Sequence, residues 1–205
     1  MVSLRFTDRD MALIRWINGF SFVEAPHITR LWRVDPSRVR HRIPKFIDAG
    51  VLSHDRIFVG LPGVYRATSD GVALAGDDLP PVKKVNLQNY HHDRRVVSLA
   101  LYLFETVGAD FLPDRRVRHQ LGLKGVGQPG HVPDGVIEVG GKRIAIELEL
   151  TAKGSGRRKK ILDGYRASIG FKEVWYYAAS GVIEGLREFQ KGYPFLRIME
   201  VPDGI

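Results

Sequence analysis

Residues 133–151 read PDGVIEVGGKRIAIELELT, two short apolar segments separated by Gly140-Gly141. Gly-Gly is a favoured two-residue hairpin turn, because both turn positions take positive φ. With those glycines as the whole loop, Val139 opposes Lys142, Ile137 opposes Ile144, and Asp134 opposes Glu147. Side chains alternate along a strand, and directly opposed residues share a side. One face therefore carries Ile137, Ile144, Ile146 and Leu148, a core face. The other carries Asp134, Glu147 and Glu149, with Val136 opposite Ala145 and Glu138 opposite Arg143. Opposed Cβ atoms sit roughly 5 Å apart, so three carboxylates converge on one small patch. Unaccompanied, they would push one another's pKa upward. The set therefore predicts a hard divalent cation, Mg²⁺ or Mn²⁺, held by Asp134, Glu147 and Glu149.

Composition bounds the rest. The chain has 205 residues, 44% of them hydrophobic, which is enough for one larger domain or two small ones with real cores. No apolar run approaches the ~20 residues needed to cross a bilayer, so no membrane partner is expected. The start, MVSLRFTDRD, holds acids and no apolar stretch, unlike a secretory signal. The absence of cysteine excludes disulfides and thiolate-bound zinc and fits a reducing, cytoplasmic setting. The net charge of +8 favours a polyanionic partner. Residues 1–76 hold 11 Lys+Arg against 7 Asp+Glu and the remainder 20 against 16, so either half could contact phosphate.

The first 76 residues predict three helices and a hairpin. Thr7 is the N-cap of a helix running to about Asn18. A second helix spans residues 25–32, with Ile28, Leu31 and Trp32 buried. Asp35-Pro36 caps and starts a third, over 36–49, stopped by Gly50. Val39, Ile43 and Ile47 form its inner stripe, and Arg38, Arg40, Arg42 and Lys45 crowd it. The apolar run Ile57-Phe58-Val59 and the segment 64–67 form the hairpin, and a short helix covers 69–75. This order is that of a winged helix-turn-helix, whose basic third helix enters the major groove of double-stranded DNA. Arg38, Arg40, Arg42 and Lys45 are the expected contacts to phosphates or guanine edges. Pro44 stands against an unbroken third helix. A proline there removes a hydrogen bond and disfavours helix at Ile43, which predicts a kink or an early end.

Gly76-Asp77-Asp78-Leu79-Pro80-Pro81 has linker composition, which places a linker at 77–89 between domains at 1–76 and 90–205. A long amphipathic helix follows from Tyr90, opened by His91 and His92 and carrying Glu105 near its end. His91 and His92 are read as capping or surface residues, and Glu105 as a candidate to join the acidic patch. Phe111-Leu112-Pro113 and Val117 predict an irregular edge strand, and 121–130, with four glycines, a mobile loop. After the hairpin come a basic helix over 157–168, a compact strand EVWYYA at 173–178, a helix over 182–190 and a last strand over 195–201. The fold class is α/β (α+β) with a mixed sheet. Arg157, Arg158, Lys159 and Lys160 on the basic helix are further candidates for DNA phosphates.

Pro133-Asp134 followed by Glu147-Leu148-Glu149 on a hairpin, after a helix, resembles the PD-(D/E)xK nuclease superfamily over about residues 90–201. The lysine of that motif is here Glu149. The resemblance implies phosphodiester hydrolysis in which Asp134 and Glu147 hold Mg²⁺ and a bound water attacks. Glu149 would be a further ligand or the general base, and Lys153, or Lys159 and Lys160, would supply the missing positive charge. Nearly the whole chain is also similar to the bacterial replication-relaxation family, which pairs a winged helix with such a domain. The matching stretches are LRFTDRDMALIRWI (4–17), FIDAGVLSH (46–54), YRATSDGVAL (65–74), Tyr90-His91-His92-Asp93, the 133–151 block, and the basic helix with Tyr165. That resemblance implies association with DNA, and with plasmid or conjugative-element replication or mobilisation proteins.

Three readings therefore compete. The first is a DNA-binding protein of a mobile element, alone or as a homodimer, with a nuclease-like second domain. The second is an active Mg²⁺- or Mn²⁺-dependent endonuclease. The third is an interaction adaptor whose Trp175-Tyr176-Tyr177 strand pairs with a partner from a sheet edge.

Overall fold

The computed structural model describes residues 5–123, 131–168 and 170–205. It is a mixed α/β protein, with eight α-helices and two sheets among those residues. The chain divides into two compact units, Met1–Leu101 and Tyr102–Ile205.

The first unit opens with α1 (Asp8–Gly19), capped by Thr7, whose side chain accepts from the Asp10 amide while the Asp10 carboxylate accepts from the Thr7 amide. β1 (Val23–Glu24) leads into α2 (Ala25–Trp32) and then α3 (Pro36–Asp48), whose N-cap is Asp35. The third helix does not stop at Pro44. Val39, Ile43 and Phe46 on its inner side are buried, whereas Pro44 is on the exposed side, where water can take up the carbonyl that proline leaves unbonded. Gly50, at φ 72, ends the helix, and the Gly50 and Val51 amides bond back to Ile47 and Phe46. Ile28 is buried, while Leu31, Trp32 and Ile47 are only half-buried.

β2 (Leu52–Asp55) and β3 (Val64–Ala67) follow, then α4 (Ser69–Leu74). The three strands form one antiparallel sheet in the order β1-β3-β2. The expected strand at Ile57-Phe58-Val59 is instead part of the connection between β2 and β3. Ile57 turns into the cluster of Phe22, Val64 and Tyr90, and Val59 points into solvent, so the run lacks strand alternation. Residues 77–89 are tied to the first unit. Asn18 donates to Asp77 and to the Leu79 carbonyl, and Arg66 donates to the carbonyls of Val82 and Lys83. α5 (Tyr90–Thr106) begins with a Tyr90 ring stacked on Phe22, 4.8 Å between centroids, so the division between units falls within this helix rather than at 77–89.

Glu24 is fully buried and meets Arg94, 2.9 Å from Nε to either carboxylate oxygen, and the Tyr90 hydroxyl at 3.1 Å. His27 accepts the Glu24 amide on Nδ1, which places its proton on Nε2, 3.1 Å from Ser98 Oγ. Burial, with Arg94 and Arg30 nearby, pushes the His27 imidazole down to about 4.

The second unit holds β4 (Leu112–Pro113), α6 (Asp114–Gln120), β5 (Gly135–Val139), β6 (Lys142–Glu149), α7 (Ser155–Ala167), β7 (Glu173–Ala178), α8 (Ser180–Gln190) and β8 (Leu196–Glu200). Val117 lies in α6 rather than in an edge strand, because Pro113 and Asp114 start a helix whose Val117 packs on Val132 and Val136. Of the loop expected at 121–130, residues 124–130 are outside the described residues. The sheet order is β4-β5-β6-β7-β8, antiparallel up to β6 and parallel from β6 to β8. The β5–β6 register is the one that the Gly-Gly turn dictates, Val139 against Lys142 through Gly135 against Ile146, with φ 55 and 73 at the two glycines. β7 lies between β6 and β8, so the Trp175-Tyr176-Tyr177 strand is interior and has no edge to offer. Ala145, Val174, Tyr176 and Ala178 meet Ile161, Leu162, Val182, Ile183 and Leu186 of α7 and α8 in one core.

Candidate functional site

Glu147 and Glu149 lie on the β6 face that carries Ala145, the face that α7 covers. Each is 1% exposed, so the carboxylate patch is roofed rather than open. Asp134, immediately before β5, is half-buried, and its Oδ2 accepts the Leu148 amide at 2.8 Å. That bond places Asp134 beside Glu147 at the end of the ladder.

Glu147 Oε1 bonds to the Tyr165 hydroxyl from α7 and to His131 Nε2. Burial pushes the Glu147 carboxyl above its ordinary value, His131 opposes that shift, and the Asp134 charge adds to it. The Tyr165 hydroxyl is pushed strongly upward by burial and by the Glu147 charge, so it stays a donor. Asp114, in the first turn of α6, is also raised, by burial first and by Asp134, against the pull of Arg118. Its amide donates to the Asp134 carbonyl at 3.0 Å, which fixes α6 to the rim of the patch.

Glu149 has a different partner. Arg158, 5% exposed, donates to its Oε1 from Nε at 3.1 Å and from Nη2 at 2.6 Å, and from Nη1 to the Gly185 carbonyl at 3.1 Å. The Lys153 amide donates to the same oxygen at 3.2 Å, and Lys153 Nζ is 3.7 Å from Oε2. Glu149 Oε2 and the Tyr176 hydroxyl are nonetheless buried without a hydrogen-bond partner. Tyr176 is held upward by burial and by the charges of Glu147, Glu149 and Asp134.

Of the three expected metal ligands, Asp134 and Glu147 are the neighbouring pair that could share a cation, and Glu149 is bound to a guanidinium. Among the described residues, no group of three or more His, Cys, Asp and Glu side chains is arranged to hold a metal ion. The expected three-carboxylate set does not fit Mg²⁺ or Mn²⁺ as it stands, because Arg158 brings its own charge to Glu149. What the arrangement does provide is a carboxyl, Glu147, that holds a proton more readily than an ordinary glutamate, between a tyrosine and a histidine.

The basic candidates divide in the same way. On α3, Arg38, Arg40 and Lys45 are exposed, while Arg42 turns back to the buried Asp10 and to the Arg5 carbonyl at 3.1 Å. Burial alone would raise Asp10, but Arg42 and Thr7 hold it below the usual carboxylate value. On α7, Arg157, Lys159 and Lys160 are exposed, with Lys159 paired to Asp163 at 2.9 Å, and Arg158 is internal. An arginine in a basic run reads as surface until a buried acid claims it. Glu105 is exposed, His91 packs near Phe58 and Tyr90, and His92 sits beside Asp93 at 3.7 Å. Sequence reasoning missed His131 and gave Tyr165 no role. The one available signal for His131 was a histidine two residues before Pro133-Asp134.

Comparison of the chain with protein-family models, with curated proteins and with solved structures finds no match.

Proposed function

We propose that this chain is a cytoplasmic duplex-DNA-binding protein that acts in the replication or mobilisation of a plasmid or conjugative element. In this reading the first unit is a winged helix-turn-helix that sets α3 in the major groove. The second is a PD-(D/E)xK nuclease-like domain used for binding or assembly. The observation that carries the reading is the cationic outer surface of α3, where Arg38, Arg40 and Lys45 stay exposed while Val39, Ile43 and Phe46 on the inner side are buried. The Glu149–Arg158 pair supports a binding role for the second unit, since it neutralises the carboxylate at the motif's third position. Fluorescence anisotropy on labelled duplexes across a salt series tests it. Each phosphate contact contributes a slope of about −0.9 in log affinity against log salt, so Arg38→Ala, Arg40→Ala and Lys45→Ala should each flatten the slope by about that amount. Salt-insensitive or absent binding would end the reading.

A second reading, an endonuclease using Mg²⁺ or Mn²⁺, is favoured by the adjacent Asp134 and Glu147. Plasmid left intact with either metal, or cleaved equally well by Asp134→Ala and Glu147→Ala, would count against it.

A further inference from the structure

Residues 56–63, RIFVGLPG, join β2 to β3, and three of their apolar side chains are exposed, Phe58 at 39%, Val59 at 105% and Leu61 at 37%. The base of this loop is braced. Ile57 packs on Phe22, Val64 and Tyr90, and the Phe58 ring meets Tyr90 edge-on at 4.9 Å. On the return leg, a Cβ at Gly63 would lie 2.0 Å from His54 Nε2, so that leg runs close against the His54 ring of β2, which a larger residue would have to displace. Gly60, at φ 81, and Pro62 make the turn between. Val59 and Leu61 are thus presented outward on an anchored support instead of folding back onto the core.

Two side chains are too little for a stable protein interface, which takes roughly 800 Å² from each partner. They are the right size for an apolar wedge that enters one base step and unstacks it. Charge selects the same occupant. Arg56 is exposed at the foot of the loop, and the cationic α3 immediately precedes β2 in the chain. A partner that is anionic outside and apolar between its stacked layers meets both requirements.

We infer that the 56–63 loop enters the minor groove of duplex DNA and unstacks one base step with Val59 and Leu61. The inference rests on the DNA-binding reading and adds what the loop does to the duplex. The test uses the full chain and short duplexes carrying 2-aminopurine at a TA or CA step, where unstacking costs least. Saturated wild-type complexes should raise the 2-aminopurine fluorescence at one step severalfold. Val59→Ser combined with Leu61→Ser, both on the surface, should abolish the rise while weakening affinity by no more than about tenfold, because phosphate contacts carry most of it. A saturated wild-type complex without a rise at any step overturns the wedge, and so does a rise that survives the double substitution. In either case the anisotropy of the same samples still reports DNA binding. Absence of binding to every duplex overturns both readings together.

Discussion

Arg158→Met isolates what the pair beneath α7 is for. The substitution keeps most of the side-chain volume and removes three donors, at 3.1 and 2.6 Å to Glu149 and at 3.1 Å to the Gly185 carbonyl. Glu149, 1% exposed, would be left with the Lys153 amide and with an ammonium 3.7 Å away. Breaking a buried ion pair from one side costs about 3–5 kcal/mol. Lys153, 26% exposed, can move in and offset part of this, so about 3 kcal/mol is expected. Removing both charges, as Glu149→Leu with Arg158→Met, should recover most of the loss, since well-packed apolar pairs of similar volume are often neutral or better. Urea denaturation of all four proteins in a Trp16→Phe, Trp32→Phe background, followed by far-ultraviolet circular dichroism and the fluorescence of the remaining Trp175, measures the cycle. A loss under about 1 kcal/mol for Arg158→Met would refute the reasoning, as would a double variant as unstable as the two single losses combined.

Three more outcomes follow from the same geometry. His27 is displaced from the usual 6.5 to about 4, so the folded state resists a proton that the unfolded chain accepts. The first unit should keep its full stability above pH 6.5 and lose about 3 kcal/mol as pH falls towards 4, and His27→Gln should flatten that slope in urea titrations at several pH values. Glu147 has the opposite sign. Its raised folded pKa makes the second unit lose stability as pH rises from 4.5 through the folded pKa, and the difference between Glu147 and Glu147→Gln in the same Trp175-only background should show that decline. Gly135→Ala sets a Cβ 2.0 Å from the Phe111 ring, an overpacking of about 1–3 kcal/mol, visible as a lower urea midpoint with an unchanged m-value.

Local grammar made much of the fold legible. Gly140-Gly141 set the register of β5 and β6, Thr7 and Asp35 set two helix starts, and EVWYYA is the whole of β7. Pairing between distant segments was less legible. β1 is two residues long and pairs with β3, a contact that no short window of sequence contains. Ile57-Phe58-Val59 has strand composition, yet its side chains serve a loop, because the first inserts into a core and the third does not. The same limit governed the site. Alternation put Asp134, Glu147 and Glu149 on one side of the hairpin, but what covers that side depends on the phase of α7. At the second helical positions of a basic run, that phase brings Arg158 in and sends Arg157, Lys159 and Lys160 out.

The arrangement of the five-stranded sheet also bears on how the chain behaves at high concentration. Among the described residues its outer strands are β4 and β8. β4 is two residues long and ends in Pro113, which has no amide hydrogen for an incoming strand. β8 exposes Arg197 and Glu200, and Pro202 follows two residues beyond it. The aromatic, β-prone segment EVWYYA is paired along both sides. Strand addition is therefore disfavoured at the edges of the native five-stranded sheet, and it becomes open to EVWYYA only when β6 or β8 is detached from β7.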